Sequence, residues 1–351
     1  MIPRVLCLFV IICFLTISSC TKKKVEDLPC ETDIDTPTIN PPDCTLNYTL
    51  PAENIDLPIE IWNPSGPITR YPLRYSYSYP TFNPTNSNQI VYIRTDHESF
   101  QGVCNRELWT FDFCTGEASL LSDNACYGTD WSSKDWIVYT GTDRNLFKIK
   151  SNGDSLMQIT NSIGYSNSAK WSPTGDSIIF LKIDGENNDL QLIDKNGALL
   201  SQESNFPFNF LNYQKDFILY DGYGDPFNHS NYAIWTKQIN QETATNIQPI
   251  EICCSGDSVV HSAHLLNSSE LVWNNGGTIN LNDSKTGNRR TILSGASNRK
   301  YRDLDVSSNE KSILFQRIDY VEIDHFILEV YNQLFISDIN GGNERKIIIP
   351  D

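Results

Sequence analysis

From Ala169 to Gly197 the chain alternates short apolar runs with polar turns. The stretch Trp171-Ser172-Pro173-Thr174-Gly175-Asp176-Ser177-Ile178-Ile179-Phe180 sets a pattern that recurs through most of the chain. Ser172-Pro173-Thr174-Gly175 predicts a tight turn, in which Pro173 presets one φ and Gly175 accepts the positive φ that a Cβ resists. Ile178, Ile179 and Phe180 then predict a strand, and Leu190, Leu192 and Ile193 predict the next. Lys195-Asn196-Gly197 closes it, an Asn-Gly pair being suited to a hairpin turn. A meander of this kind leaves a face uncovered and so requires neighbours like itself.

Those neighbours are present. The pattern returns at a period of about 40 to 50 residues, the mark of a propeller built from four-stranded blades. Inner strands ending in a bulky residue and a polar turn are read at residues 80–84, 129–133 and 170–173, and in weaker form at 211–213, 264–266 and 305–307. Second strands come next at 90–93, 136–139, 178–181, 217–220, 270–273 and 312–315. The expectation is therefore an all-β fold, a six-bladed β-propeller of four-stranded antiparallel blades closed as one ring. Each blade begins and ends within itself, so no exchanged terminal strand is read. Trp131 and Trp171 are expected as wedges between blades rather than as ligand platforms.

The first residues carry a different pattern. Arg4 precedes an apolar run from Val5 to Ile17 that is too short to span a bilayer, so residues 1–19 read as a signal peptide. Ile17-Ser18-Ser19-Cys20 resembles the bacterial lipobox, which implies lipidation at Cys20 and anchoring without a membrane-spanning segment. Residues 20–67 carry Lys22-Lys23-Lys24 and then many Pro, Asp, Thr and Asn; they read as an extended tether with a strand expected near residues 57–62. Residues 68–351 are left for the propeller.

The run from Trp171 to Phe180 closely resembles the WD40-like repeat of TolB-type propellers. The match is sharp in that blade, partial in the blades beginning near Phe82 and Trp131, and weak in the last three. The resemblance implies a periplasmic or envelope-associated propeller that binds a protein partner. The α/β domain preceding the TolB propeller has no counterpart, its place being taken by the lipobox and tether, so the fold carries over and the Tol system does not. Lipobox-bearing propellers of this sort resemble those common in the Bacteroidetes.

The formal net charge of −16 argues against nucleic acid as a partner, because phosphate binding needs a basic surface. Of ten cysteines, Cys7 and Cys13 leave with the signal peptide and Cys20 takes the lipid. The others are disulfide candidates in an exported chain. Cys104 and Cys126 fall in loops on one face of neighbouring blades and form the leading pair. Cys114, on the opposite face, is within reach of Cys30 or Cys44 on the tether, while a Cys30–Cys44 bridge competes. Cys253 and Cys254 could bridge each other, pair elsewhere or take a soft metal.

No catalytic motif stands out: the chain has no nucleophile elbow, zinc helix or phosphate loop. Residues 184–189 fit an exposed hairpin better than a calcium loop. The histidines converge more usefully. His97, His229 and His325 fall in long loops sharing one face, His261 and His264 lie on an inner strand near that end, and Asp225 and Asp324 come from the same loops. Together they define a candidate binding face for a basic or sugar-like ligand.

The expected function is a non-catalytic, membrane-anchored propeller that binds a protein partner in the bacterial envelope, with no cofactor and no metal. The alternative is an envelope enzyme or carbohydrate-binding module using the channel mouth. An enzyme needs His261 or His264 beside a carboxylate in a deep polar channel, whereas a docking surface needs exposed apolar or aromatic side chains.

Overall fold

The computed structural model describes residues 42–52, 68–98, 106–161, 164–185, 187–206, 209–214, 217–225, 228–238, 244–249, 260–283, 285–324 and 327–350. The β-branched and aromatic runs form strands because their side chains pack well on a pleated surface. Blade 1 consists of Tyr75–Asn83, Asn86–Asp96, Arg106–Asp112 and Ala118–Ala125. Blade 2 consists of Tyr127–Trp131, Trp136–Thr140, Leu146–Lys150 and Met157–Gln158. Tyr165–Trp171, Ser177–Asp184, Asn187–Asp194 and Leu199–Glu203 form blade 3. Asn209–Gln214, Phe217–Asp225, Asn228–Gln238 and Ala244–Pro249 form blade 4. Blade 5 is Ser262–Leu265, Glu270–Asn274, Thr278–Asp283 and Arg289–Ser294. Blade 6 is Arg299–Val306, Ser312–Asp324, Ile327–Asp338 and Arg345–Ile347. Each blade is four consecutive antiparallel strands, and the first strands neighbour one another in cyclic order, the last beside the first. The molecule is a six-bladed propeller.

Its core is divided among the junctions between blades. Each of six clusters draws side chains from two adjacent blades, such as Val91, Ile93 and Leu108 of blade 1 against Ile137, Tyr139 and Ile149 of blade 2. Trp131 sits in that cluster and Trp171 in the next, 5% and 4% exposed, so both are wedges between blades. Fully burying an aliphatic or aromatic side chain contributes roughly 1.5–3 kcal/mol, so each junction is a small core in its own right. Asp184 stands opposite Asn187 where the second and third strands of blade 3 pair, the hairpin arrangement expected there.

The N-terminal segment adds to blade 6. Thr49–Pro51 pairs antiparallel with Arg345–Ile347, outside the blade's own fourth strand, and Ile68–Arg70 pairs parallel with Ile327–Glu329 of its third. Arg345 holds the first of these, donating from Nε to Thr49 Oγ1 at 2.6 Å and from Nη2 to the Thr49 carbonyl at 2.9 Å. The same segment is fixed to blade 1 by a Cys44–Cys114 disulfide. Beside it the Tyr48 hydroxyl donates to the Thr115 carbonyl at 3.0 Å. Gly116 allows this approach: its φ is +75° and an added Cβ would lie 2.2 Å from the Tyr48 ring. The seam between the last and first blades is thus closed by a clasp that reaches both. The strand expected at residues 57–62 lies outside the described residues.

Candidate functional site

The inner strands line a central channel and do not pair smoothly with their neighbours. In five blades the register slips, between Ser78/Thr81, Tyr127/Thr129, Asn167/Lys170, Phe210/Asn212 and Arg302/Asp305. At four of these bulges a residue takes a left-handed φ: Tyr79 (51°), Gly128 (55°), Ser168 (53°) and Asp303 (49°). The inner strand is also the edge of its blade, so its channel-side backbone N–H groups have no ladder partner. Here the adjacent blade supplies the acceptors. Asp130 accepts from the Trp171 amide at 2.7 Å, Gln214 from Leu265 at 2.8 Å, Ser262 from Leu304 at 2.8 Å, and Asp305 from Phe82 at 2.7 Å. Asp303 accepts from Tyr79 at 3.0 Å. The polar side chains of the channel are, first of all, links between blades.

Three cavities succeed one another along the channel and share lining residues, with volumes of about 310, 120 and 350 Å³. The first opens on the face of the tight turns, where Asp130, Asp305 and Glu310 stand among Phe82, Trp131, Trp171 and Tyr213. Asp303, Asp305 and Lys170 line the middle cavity. Lys170 reaches Asp130 at 3.1 Å; burial alone would lower its pKa, but Asp130, Asp305 and Asp303 outweigh that and raise it, so it stays charged. Burial raises the pKa of Asp303, with the Tyr79 amide offsetting it only in part. Burial also acts to raise Asp305, yet the hydrogen bond from His264 and the charge of Lys170 hold it below its ordinary value. Three carboxylates face one ammonium, leaving the channel acidic.

His264 lies beside a carboxylate, its Nε2 2.8 Å from Asp305 Oδ1. Its other nitrogen, Nδ1, is 2.9 Å from Gln214 Nε2. Because Gln214 Oε1 is occupied in accepting from the Leu265 amide, the amide nitrogen faces His264 and donates to Nδ1. Nε2 therefore carries the proton and donates to Asp305. Both ring nitrogens are engaged, and the imidazole can neither take a proton from a substrate nor ligate a metal without breaking a link between blades 4, 5 and 6. Among the described residues no group of three or more His, Cys, Asp or Glu is arranged to hold a metal ion.

The remaining candidates are dispersed. His97 stacks on Tyr71, with ring centroids 4.0 Å apart and an interplanar angle of 9°, and does not line the channel cavities. His261 lines the middle cavity with His264. Asp225, His229 and Asp324 lie in strands of blades 4 and 6. His325, Cys20, Cys30, Cys104, Cys253 and Cys254 lie outside the described residues. Of the two pairings open to Cys114, Cys44 is the partner found, and Cys126 is also disulfide-bonded. The bulges and the inter-blade acceptors escape a reading of the sequence; the polar residues among apolar ones at Asp130, Gln214 and Asp303 are the signal they leave.

No family model matches the chain, and no curated protein matches it in sequence. Solved structures do. A protein assigned as TolB from Agrobacterium tumefaciens superposes with a TM-score of 0.54 at 13% identity, covering 70% of this chain and 89% of that one. The fold is that of TolB-type propellers. An acylaminoacyl peptidase matches with a TM-score of 0.52 at 12% identity over 78% of this chain, which spans about half, 52%, of that enzyme. A gluconolactonase from Xanthomonas campestris gives 0.51 at 11% identity, covering 70% of this chain and 84% of its own. The TolB-type architecture is thus shared with enzymes, and the chemistry of a given chain rests on its channel.

Proposed function

We propose that this chain is a non-catalytic propeller of the bacterial cell envelope, anchored through a lipidated Cys20, that binds a protein partner at the turn-face mouth of its channel. The observation that carries the reading is the engagement of His264. This imidazole, beside the Asp305 carboxylate, is bonded at both nitrogens, and the neighbouring carboxylates serve as links between blades. What the mouth retains is recognition chemistry: Asp130, Asp305 and Glu310 line one open cavity, and its acidity suits a basic side chain of a partner. The likeness to a TolB fold supports binding of a protein as the general task.

The test is affinity capture from the native envelope after mild cross-linking, comparing the wild-type chain with a Ser133→Arg, Ser308→Arg variant that places positive charge on the rim. A protein retained by the wild type and lost from the variant supports the reading. Equal capture by both, or none by either, overturns it. Labelling with a radioactive fatty acid tests the anchor separately, with incorporation expected in the wild type and absent in Cys20→Ser.

A further inference from the structure

The far end of the channel is built from different residues. Its cavity of about 350 Å³ is lined by Tyr79, Tyr127, Arg144, Tyr165 and Asn167, a size within the range of small-molecule sites. Tyr127 and Tyr165 are the first residues of the inner strands of blades 2 and 3, Tyr79 sits at the bulge of blade 1, and Arg144 lies in the turn between the second and third strands of blade 2. The Tyr79 and Tyr127 rings stand 6.4 Å apart at 88°, forming an aromatic corner. Among the described residues, none of the three phenol hydroxyls and no atom of the Arg144 guanidinium makes a hydrogen bond or ion pair. Arg144 thus stands unpaired among them, in a chain with a net charge of −16.

A second observation is independent of this convergence. Tyr79 and Arg144 both hold left-handed backbone conformations, with φ of 51° and 69°. Blades 2 and 3 place Gly128 and Ser168 at the bulge position that Tyr79 fills in blade 1. The backbone would be served as well by glycine or asparagine at these two points, and a tyrosine or arginine there is strained. Two strained residues delivering their side chains to one cavity indicate that the side chains, rather than the turns, are what is kept.

We propose that this mouth binds a carboxylated sugar, with Tyr79, Tyr127 and Tyr165 stacking on the ring faces and Arg144 forming a bidentate pair with the carboxylate. The phenol hydroxyls and the Asn167 amide supply hydrogen bonds to sugar hydroxyls. The guanidinium fork matches a carboxylate and has no competitor among the described residues. The site lies at the other end of the channel from the proposed protein-docking mouth, and its success or failure is independent of that reading.

The experiment is calorimetric titration of the full propeller with glucuronate and mannuronate tetrasaccharides, with neutral glucose and mannose tetrasaccharides and an acidic tetrapeptide as comparators. One uronate should bind at least tenfold more tightly than its neutral counterpart, and Arg144→Gln and Tyr165→Ala should each weaken it at least tenfold with unchanged thermal midpoints. Arg144→Gly should abolish the preference for the uronate while raising the thermal midpoint, since it relieves the strained φ. The proposal is overturned if neither uronate binds, if the neutral sugars bind equally, if the variants bind as the wild type does, or if the acidic peptide is preferred.

Discussion

Trp131 and Trp171 occupy the same place in successive blades, yet only one of their indole N–H groups is bonded among the described residues. Trp131 Nε1 donates to Asp135 at 3.3 Å, while Trp171 Nε1 is buried there without an acceptor. The reason lies four residues on, where the left-handed turn position holds Asp135 in one blade and Gly175 in the other, with φ of 61° and 67°. Replacing each tryptophan by phenylalanine removes similar ring area, so the two costs should differ by the hydrogen bond. Thermal unfolding should show Trp131→Phe to be the more destabilising by about 1 kcal/mol. Asp303 gives a pH test at the same scale. Burial raises its folded pKa above the ordinary 3.8, so its charge weakens the fold at neutral pH. Asp303→Asn keeps an acceptor for the Tyr79 amide and should raise the thermal midpoint at pH 7. The gain should shrink as pH falls through the folded pKa and vanish below 3.8. His264 is the counterpart: His264→Ala strips Asp305 of its donor and should cost about 2–4 kcal/mol in denaturant unfolding, far more than loss of an idle loop histidine would.

The elements themselves are largely legible in the sequence. Ile178-Ile179-Phe180 and its counterparts are continuous apolar runs because second strands pack against neighbouring blades on both faces, and the Ser172-Pro173-Thr174-Gly175 turn fixes where the second strand of blade 3 starts. The weaker motifs at 211–213, 264–266 and 305–307 mark inner strands as well. Pairing at long range is what stays hidden. Asp130 and the Trp171 amide are 41 residues apart, and nothing local to either shows that this amide will lie on the open edge of a blade in need of an acceptor. Thr49–Pro51 has three residues and no periodicity, so it gives no strand signal; only the reach of Cys44 to Cys114 hints that the segment lies on the ring. That disulfide spans 70 residues of sequence, and constraint of so long a loop stabilises the fold by roughly 4 kcal/mol in the chain-entropy account. Cys44→Ser should lower the unfolding free energy by about that amount, and amide exchange should show protection lost first at Thr49 and Leu50.

At the scale of the whole molecule, the net charge of −16 conceals an arrangement with direction: carboxylates and tryptophans at one end of the channel, tyrosines and Arg144 at the other. Composition cannot report such a division, because it averages over the axis along which the groups are sorted. The clasp has a direction too. Any pull arriving from the N-terminal side meets Cys44 first and passes through its sulfur into the blade 1 turn at Cys114. The strand at 49–51, whose hydrogen bonds seal blade 6, lies downstream of that covalent bond and is spared the tension. A ring whose closing strand came first in the chain would unzip when tugged. This one transmits force around its closing seam, so a protein tied to a moving surface by its leading end could be dragged without being opened.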